Sequence, residues 1–468
     1  MLRKLSLSVL ALAAACSSDA GQPGAVDGGT WFEGARLITG DGSTIESSAF
    51  LVEDNAFAWV GEQGGMEPPA GAVRVDLSGR TVIPALIDGH QHIGLTNVKD
   101  GTDAKANYTR EMLVEHLERS AYHGVGATVS LGLEYDEPLA FQLAQEVIPN
   151  AALFFTSGRG IAATSMAGPQ QDYRIGIPRG AMTEEEGRTA VRELDALGSR
   201  IVKVWVDGRG GRVPKVGPDV LRAIVDEAHA NGMIVVTHVG TSTGLADAKD
   251  ILQSGVDGFV HTVRDRDVDE EYLALVREHP EVWSISNLPG DPLVLDDLPW
   301  LAETLAPFQI ESFREQIERR QAVGPPDPNS QFPLQCRNMG RNHEAGMVLG
   351  VGTDSGVRVA WTVHTEIRDM VSCGLSPMEG IMAATRNNAE FLGLDDLVDE
   401  GVHHAAGLEV DDPRHGRPHD DLSVHRHVDA AVVVDLAFRV EGARGHGGAG
   451  FGESLERAAL LGEQRRPL

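Results

Sequence analysis

Along most of the chain, short apolar runs alternate with longer stretches in which apolar residues recur every three or four positions. Runs of four to eight apolar residues bounded by turn formers read as strands, and the 3.6-residue period reads as helix. Residues 30–80 hold only the first kind: Ala35–Thr39, Ala49–Val52, Ala56–Val60 and Val73–Leu77, punctuated by turns such as Gly40-Asp-Gly42. This predicts a small β domain. From residue 81 the rhythm becomes strand, loop, helix. The strand candidates are 81–88, 125–131, 152–157, 201–206, 234–239, 258–263, 282–286 and 348–353, and helix-period segments include 109–123, 183–197, 218–231, 244–254 and 268–279. Thr183-Glu-Glu-Glu186 and Ser376-Pro-Met-Glu379 are capping boxes, and Gly124, Gly198 and Gly232 stand where helices end. Eight strands alternating with helices over about three hundred residues predict a (β/α)8 TIM barrel across 81–394. The fold class is therefore α/β, with a small β-sandwich built mainly from the N-terminal segment. Residues 288–345, the Pro-rich interval before the last strand, are expected as an extended loop over one face.

The two ends depart from this rhythm. Arg3 and Lys4 precede an apolar stretch, Leu5–Ala15, too short to span a bilayer as a mature helix. With small residues before Cys16, residues 1–16 resemble a lipoprotein signal, and Cys16 is the expected lipidated N-terminus. Residues 17–29 read as a flexible tether. An ordinary secretory signal is the alternative, so the chain is expected to be exported, either anchored to the outer membrane by that lipid alone or periplasmic or secreted. Beyond 394 the periodicity fades: seven of the 17 His fall between 403 and 446. The atypical segment 395–468 reads as a poorly ordered tail or a His-rich metal-binding tract, with one strand candidate, Val428–Asp435. The net charge of −29 leaves no basic surface for phosphates and excludes a nucleic-acid partner. Cys336 and Cys373, the cysteines left after Cys16, form no disulfide framework, though a single bridge between them stays open.

The chemistry is written at the strand ends. The first run, Thr81–Asp88, leads into His90-Gln-His92, two imidazoles at the i, i+2 spacing that puts side chains on one face of a strand. Such a pair alone is as often solvated as metal-bound. The fourth strand carries Lys203 inside Ile-Val-Lys-Val-Trp-Val, in a chain with only six lysines, where an unpaired ammonium is costly. The fifth ends in His238, the sixth in His261 and the eighth in Asp354. Singly, each has a bland reading: a hydrogen-bonded core histidine, a turn aspartate, a lysine reaching the rim. Six of them at strand ends of one barrel point to a centre for Zn or a similar divalent ion. The loops after the third and fourth strands offer Arg159 and Arg209, which suit a substrate carboxylate and equally suit solvated surface. His116, His123, His229, His279 and His343 fall on helix-like segments, where solvated roles suffice.

The order His-x-His, Lys, His, His, Asp on successive strands resembles the amidohydrolase superfamily. Val363-His-Thr-Glu366, Gly374–Glu379 and Ala383–Ala389 resemble its prolidase-like and imidazolonepropionase-like branch. The resemblance spans about residues 30–395. It implies two divalent metal ions, zinc in this donor set, with a carbamate on Lys203 bridging them, His90, His92 and Asp354 on one ion and His238 and His261 on the other. It also implies hydrolysis of an amide by metal-activated hydroxide, with Asp354 as base and then acid. The leading substrate is a dipeptide or N-acyl amino acid. A cyclic or non-peptide amide is the alternative, which Lys203 disfavours because the mononuclear type has no need of it. A surface lipoprotein that binds metal or ligand without turnover is a third reading, weakened by the retention of Asp354. A homo-oligomer is compatible with all three. Two departures stand out: Ala85 replaces the usual Gly, and the closing segment expected just after the last helix is missing there, with Val428–Asp435 the nearest candidate.

Overall fold

The computed structural model describes residues 28–393, apart from 54, 55, 170, 241, 291, 325 and 356–360, together with 431–434. Cys16, residues 17–27 of the tether and the seven histidines between 403 and 446 lie outside the described residues.

The N-terminal strands form two four-stranded sheets. In the first, Thr30–Glu33 lies antiparallel to Ser48–Glu53 and parallel to Val73–Asp76, with Ala56–Glu62 on the far side of Ser48–Glu53. The second runs in the order Ala431–Val434, Thr81–Pro84, Arg36–Ile38, Thr44–Ile45. Leu37 and Val82 from the second sheet pack with Phe50, Phe57 and Leu77 from the first and its margin. The late strand candidate thus falls on the antiparallel edge of Thr81–Pro84, with Ala431 opposite Pro84 and Val434 opposite Thr81.

The stretch expected as one strand over 81–88 is two. Thr81–Pro84 belongs to the small sheet, and β1 (Leu86–Gln91) starts the parallel sheets. Pro84 has no N–H to donate, so the ladder breaks there and the chain changes sheets without stranding a buried donor.

The remaining strands are β2 (Val125–Gly132), β3 (Leu153–Arg159), β4 (Ile201–Val206), β5 (Ile234–Val239), β6 (Gly258–Val260), β7 (Trp283–Ser286) and β8 (Val348–Val351). β3, β2 and β1 form one parallel sheet in that order, and β4 to β8 form the bulk of another in sequence order. All six residues of β4 and all eight of β2 are buried, as expected of parallel strands covered on both faces. Two junctions link the sheets. The chain leaving β3 places Ile161 beside Val204 of β4. At the other end, His90 O accepts from the N–H groups of Thr353 (3.0 Å) and Asp354 (2.7 Å), and His92 N–H donates to Ser355 O (3.0 Å).

Helices fill the crossovers where the period predicts them, including Arg110–Tyr122, Glu184–Ala196, Pro218–Ala230, Gly244–Leu252 and Glu270–Glu278. Both capping boxes form, with Thr183 and Ser376 accepting from the amides of Glu186 and Glu379. The turns behind the helices need a left-handed residue, and Gly198 (φ 87°) and Gly232 (φ 71°) supply it. The interval 288–345 is not an extended loop. It folds into helices Leu298–Leu301, Pro307–Val323 and Gln331–Glu344, and its Leu293, Leu298, Leu301, Phe313 and Ile317 make a separate core with Trp361. No helix among the described residues is long and apolar enough to cross a membrane.

Cys336, on the last of these helices, is bridged to Cys373, which ends the helix Thr362–Ser372. The Cα atoms are 4.9 Å apart, and the bridge closes a loop of 37 residues. Loop-closure entropy for that length corresponds to about 3–4 kcal/mol of stabilisation. Urea unfolding with and without reductant, and of Cys336→Ser, is expected to show a loss of that order. An unchanged midpoint would mean that the bridge constrains nothing.

Candidate metal centre

The donors predicted from strand ends converge at one end of the parallel sheets. His90 Nε2 lies 3.6 Å and His92 Nε2 2.9 Å from Asp354 Oδ1, and His261 Nε2 lies 3.9 Å from Asp354 Oδ2. The His238 and His261 rings meet edge to face with centroids 4.5 Å apart. Lys203 is buried, and its Nζ reaches His90 Nε2 at 3.2 Å. All six residues are therefore brought together. The division into two ligand sets is less sharp than expected, because donor atoms of His90, His261 and Asp354 all lie within 4.8 Å of one another.

The electrostatics suit a cation that the protein itself does not provide. Burial holds His90, His238 and His261 well below the ordinary histidine range, and it lowers His92 to about 4. Neutral imidazoles with free lone pairs are the ligand form. Desolvation raises the Asp354 carboxyl, but the His90, His92 and His261 rings outweigh it and hold it well below the carboxylate range. Burial drops the Lys203 amine to about 7, with Asp354 opposing and Arg264 adding to the fall. Nδ1 of both His90 and His92 is buried without a hydrogen-bond partner, a cost expected where another interaction repays it. Four neutral imidazoles, a carboxylate and an uncharged amine fit one or two borderline divalent ions.

Backbone and neighbours hold this set in place. His261 (φ 83°) and Asp354 (φ 49°) adopt left-handed conformations that cost a non-glycine residue about 1–3 kcal/mol each. Asp88 accepts from His90 N–H (3.1 Å), Gln91 Nε2 (2.5 Å), Thr353 N–H (3.1 Å) and Thr353 Oγ1 (2.7 Å), tying β1 to the residue before Asp354. Asn287, just past β7, bonds His261 Nδ1 through Oδ1. An amide oxygen can only accept, so Nδ1 carries the proton and Nε2 is left as the donor atom. Behind Asn287, buried Glu366 accepts from Leu288 N–H at 2.9 Å and Asp369 from Gly290 N–H at 3.0 Å.

Two expectations need correction. Arg159 is not aimed at a substrate: its guanidinium donates to Ile177 O (2.6 Å) and Gly176 O (3.1 Å) and so fastens the following loop. Arg209 stays near the centre, with Nε 3.6 Å from Asp207 Oδ2. The arginine that reaches the donors is Arg264, whose Nη2 lies 3.1 Å from His238 Nε2. In sequence it sits in Arg-Asp-Arg-Asp, which reads as a solvated turn, and only its distance of three residues from His261 could have marked it. His116 and His123 are also not solvated. His116 is buried, accepts from Gly94 N–H at 3.1 Å and bonds Thr96 O at 3.0 Å, while His123 is buried against Thr304.

Comparisons with known proteins follow this geometry. The model of the Amidohydrolase family matches residues 81–400. An imidazolonepropionase from Cereibacter sphaeroides is 26% identical over 378 residues, which cover 78% of this chain and 87% of that protein. A protein from Mycobacterium tuberculosis is 26% identical over 382 residues, covering 77% of this chain and 88% of its own. Among solved structures, a Xaa-Pro dipeptidase with methionine bound in its active site superposes with a TM-score of 0.57 at 20% identity, covering 78% of this chain and 89% of that one. That last likeness is one of fold.

In metal-free protein, Lys203→Met is expected to raise stability at pH 7 by about 1–4 kcal/mol, since it removes a buried amine whose contact with His90 Nε2 offsets only part of its desolvation. The folded pKa of Lys203 lies below its unfolded value. Wild-type stability is therefore fullest above the unfolded pKa and falls as pH drops toward 7, and the variant lacks that slope. Urea titrations of chelator-treated protein between pH 7 and 10 measure both. A destabilised variant with an unchanged slope would show that Lys203 is satisfied in the metal-free fold.

Proposed function

The chain belongs to the amidohydrolase family, and on that premise we propose that it hydrolyses an amide bond in a dipeptide or N-acyl amino acid at a centre of two divalent metal ions, most simply zinc. The observation that carries this reading is the convergence of four neutral imidazoles, one carboxylate and one buried amine. We further take the two parallel sheets as a single (β/α)8 barrel. The junctions at Ile161–Val204 and at His90–Asp354 support that closure.

His90, His92, Lys203, His238, His261 and Asp354 would hold the ions, which would supply polarisation of the amide carbonyl and a lowered pKa of water. Lys203 is suited to a carbamate. Its buried amine, uncharged in good part near neutral pH, would attack carbon dioxide: a C–N bond forms as one C=O π bond opens onto oxygen, the proton lost by the nitrogen passes to water, and the resulting carbamate is an anion where a protonated amine would be poorly solvated. Asp354 lies at the open side of the cluster, its side chain about a third exposed. It takes a proton from the attacking water and delivers it to the nitrogen as the C–N bond breaks. Asp88 and Thr353 hold Asp354 on its line, and Asn287 keeps His261 Nε2 turned toward the donors.

The relatives include an imidazolonepropionase, and that similarity favours a second reading, hydrolysis of a cyclic amide. Lys203 weighs toward the two-metal peptide reading. We also place the protein outside the cytosol. The Cys336–Cys373 bridge supports an oxidising compartment, as does the signal-like segment ending at Cys16.

Elemental analysis of chain lacking its first sixteen residues is expected to give about two metal ions per chain, falling sharply in Lys203→Ala together with loss of dipeptide hydrolysis. Asp354→Asn is expected to lower kcat at least 100-fold, the scale of general acid–base assistance. One ion in both proteins with activity retained would overturn the bridged centre. Metal binding with no turnover across a broad amide panel would overturn the hydrolase.

A further inference from the structure

Three arginines, Arg159, Arg179 and Arg209, are committed to partners, and a fourth is not. Arg159 is spent on two carbonyl oxygens. Arg179 pairs with Glu137 and Glu193. Arg209 leans on Asp207. Arg264 is the exception. Among the described residues no carboxylate oxygen lies within 4.0 Å of it, its Nε is buried without a partner, and its side-chain hydrogen bond goes from Nη2 to the imidazole of His238. A guanidinium is always charged and offers five donors in a planar fork that fits a carboxylate two-pronged. Arg264 uses one of them, on a neutral nitrogen.

That nitrogen is itself a donor atom of the metal centre. A single lone pair serves one partner, so whatever takes His238 Nε2 releases the fork. The released guanidinium stands beside the reaction centre, where Asp354 and Asp207 act on it from beyond ion-pair distance and burial still outweighs them, so an anion at bonding distance would offset its removal from water.

We propose that Arg264 reads the free α-carboxylate of the substrate, on the residue whose nitrogen leaves. The proposal rests on the amide-hydrolase reading above and sharpens it. Distance supplies the restriction. Along an extended chain, one residue spans about 3.3–3.6 Å, and Arg264 Nη2 lies 3.1 Å from a ligand nitrogen. An anion held there belongs to the residue directly after the scissile bond, so that residue is the last one. Dipeptides and N-acyl amino acids satisfy this, whereas longer peptides and substrates capped as amides or esters do not. Arg209, paired with Asp207, adds a second guanidinium near Arg264.

The test is calorimetric and independent of turnover. Zinc-loaded full chain is titrated with a panel of L-amino acids and the corresponding amino alcohols, which share a side chain, lack an amide and differ in the carboxylate. The expected result is at least one amino acid bound ten or more times more tightly than its alcohol. That preference is lost in Arg264→Met at unchanged zinc content and is partly kept in Arg264→Lys. Arg159→Met serves as the control and keeps it. No acid-over-alcohol preference in wild type overturns the proposal, as does a preference that survives Arg264→Met. The two readings fail separately. Amide hydrolysis without carboxylate preference removes the role of Arg264 alone. Carboxylate preference with no hydrolysis on any amide leaves Arg264 as an anion reader and removes the hydrolase.

Discussion

The centre depends on one buried carboxylate that touches no substrate. Asp88 gathers four hydrogen bonds, two from its own strand and two from Thr353 on the far side of the sheet seam. Burial outweighs the pull of those donors and leaves its carboxyl raised to about 7. The opposition is informative: the fold keeps a group that costs desolvation because nothing apolar could link β1 to β8 with such directional precision. His90 follows Asp88 by two residues and Asp354 follows Thr353 by one. One carboxylate therefore sets the spacing between the donors that arrive first and last along the chain.

Two further buried carboxylates repeat this logic from the opposite side. The helix Thr362–Ser372 buries Glu366 and Asp369, and each catches a backbone N–H just beyond β7. Burial, and the nearness of Asp369, raise the Glu366 carboxyl well above its ordinary range. The segment so clamped carries Asn287, which fixes the tautomer of His261. The disulfide at the end of the same helix fastens the helix preceding β8. Strained conformations at His261 and Asp354 thus rest on a frame held from both flanks, as strain at a reactive site requires.

Much of this was legible in the sequence, for a physical reason. Strand and helix periods report the face of an element that is buried, and that information is local. Hence even the short run around Trp283–Ser286 and both capping boxes were readable. Strand-end chemistry was readable too, because a lysine or histidine inside an apolar run contradicts its surroundings. What stayed hidden is what acts between elements. Asp88 looks like a turn residue until Thr353 comes opposite it. Asn287 has no pattern of its own. Arg264 sits among aspartates that would pair with it on any solvated turn. His116 and His123 lie on helices whose polar look conceals that their imidazoles satisfy backbone and hydroxyl groups inside. The division at Pro84 was hidden by hydrophobicity, which continues unbroken while the hydrogen-bond ladder does not.

The strand at 431–434 has a consequence of another kind. It covers one edge of Thr81–Pro84, the strand that leads straight into β1. An uncovered strand edge presents a row of unmatched N–H and C=O groups and recruits whatever extended backbone is near. Residues 431–434 thereby cover that edge without carrying any of the predicted donors. A chain shortened ahead of it would keep every predicted donor yet offer each neighbouring copy an open template beside the strand that leads to His90, and the damage would surface first as self-association.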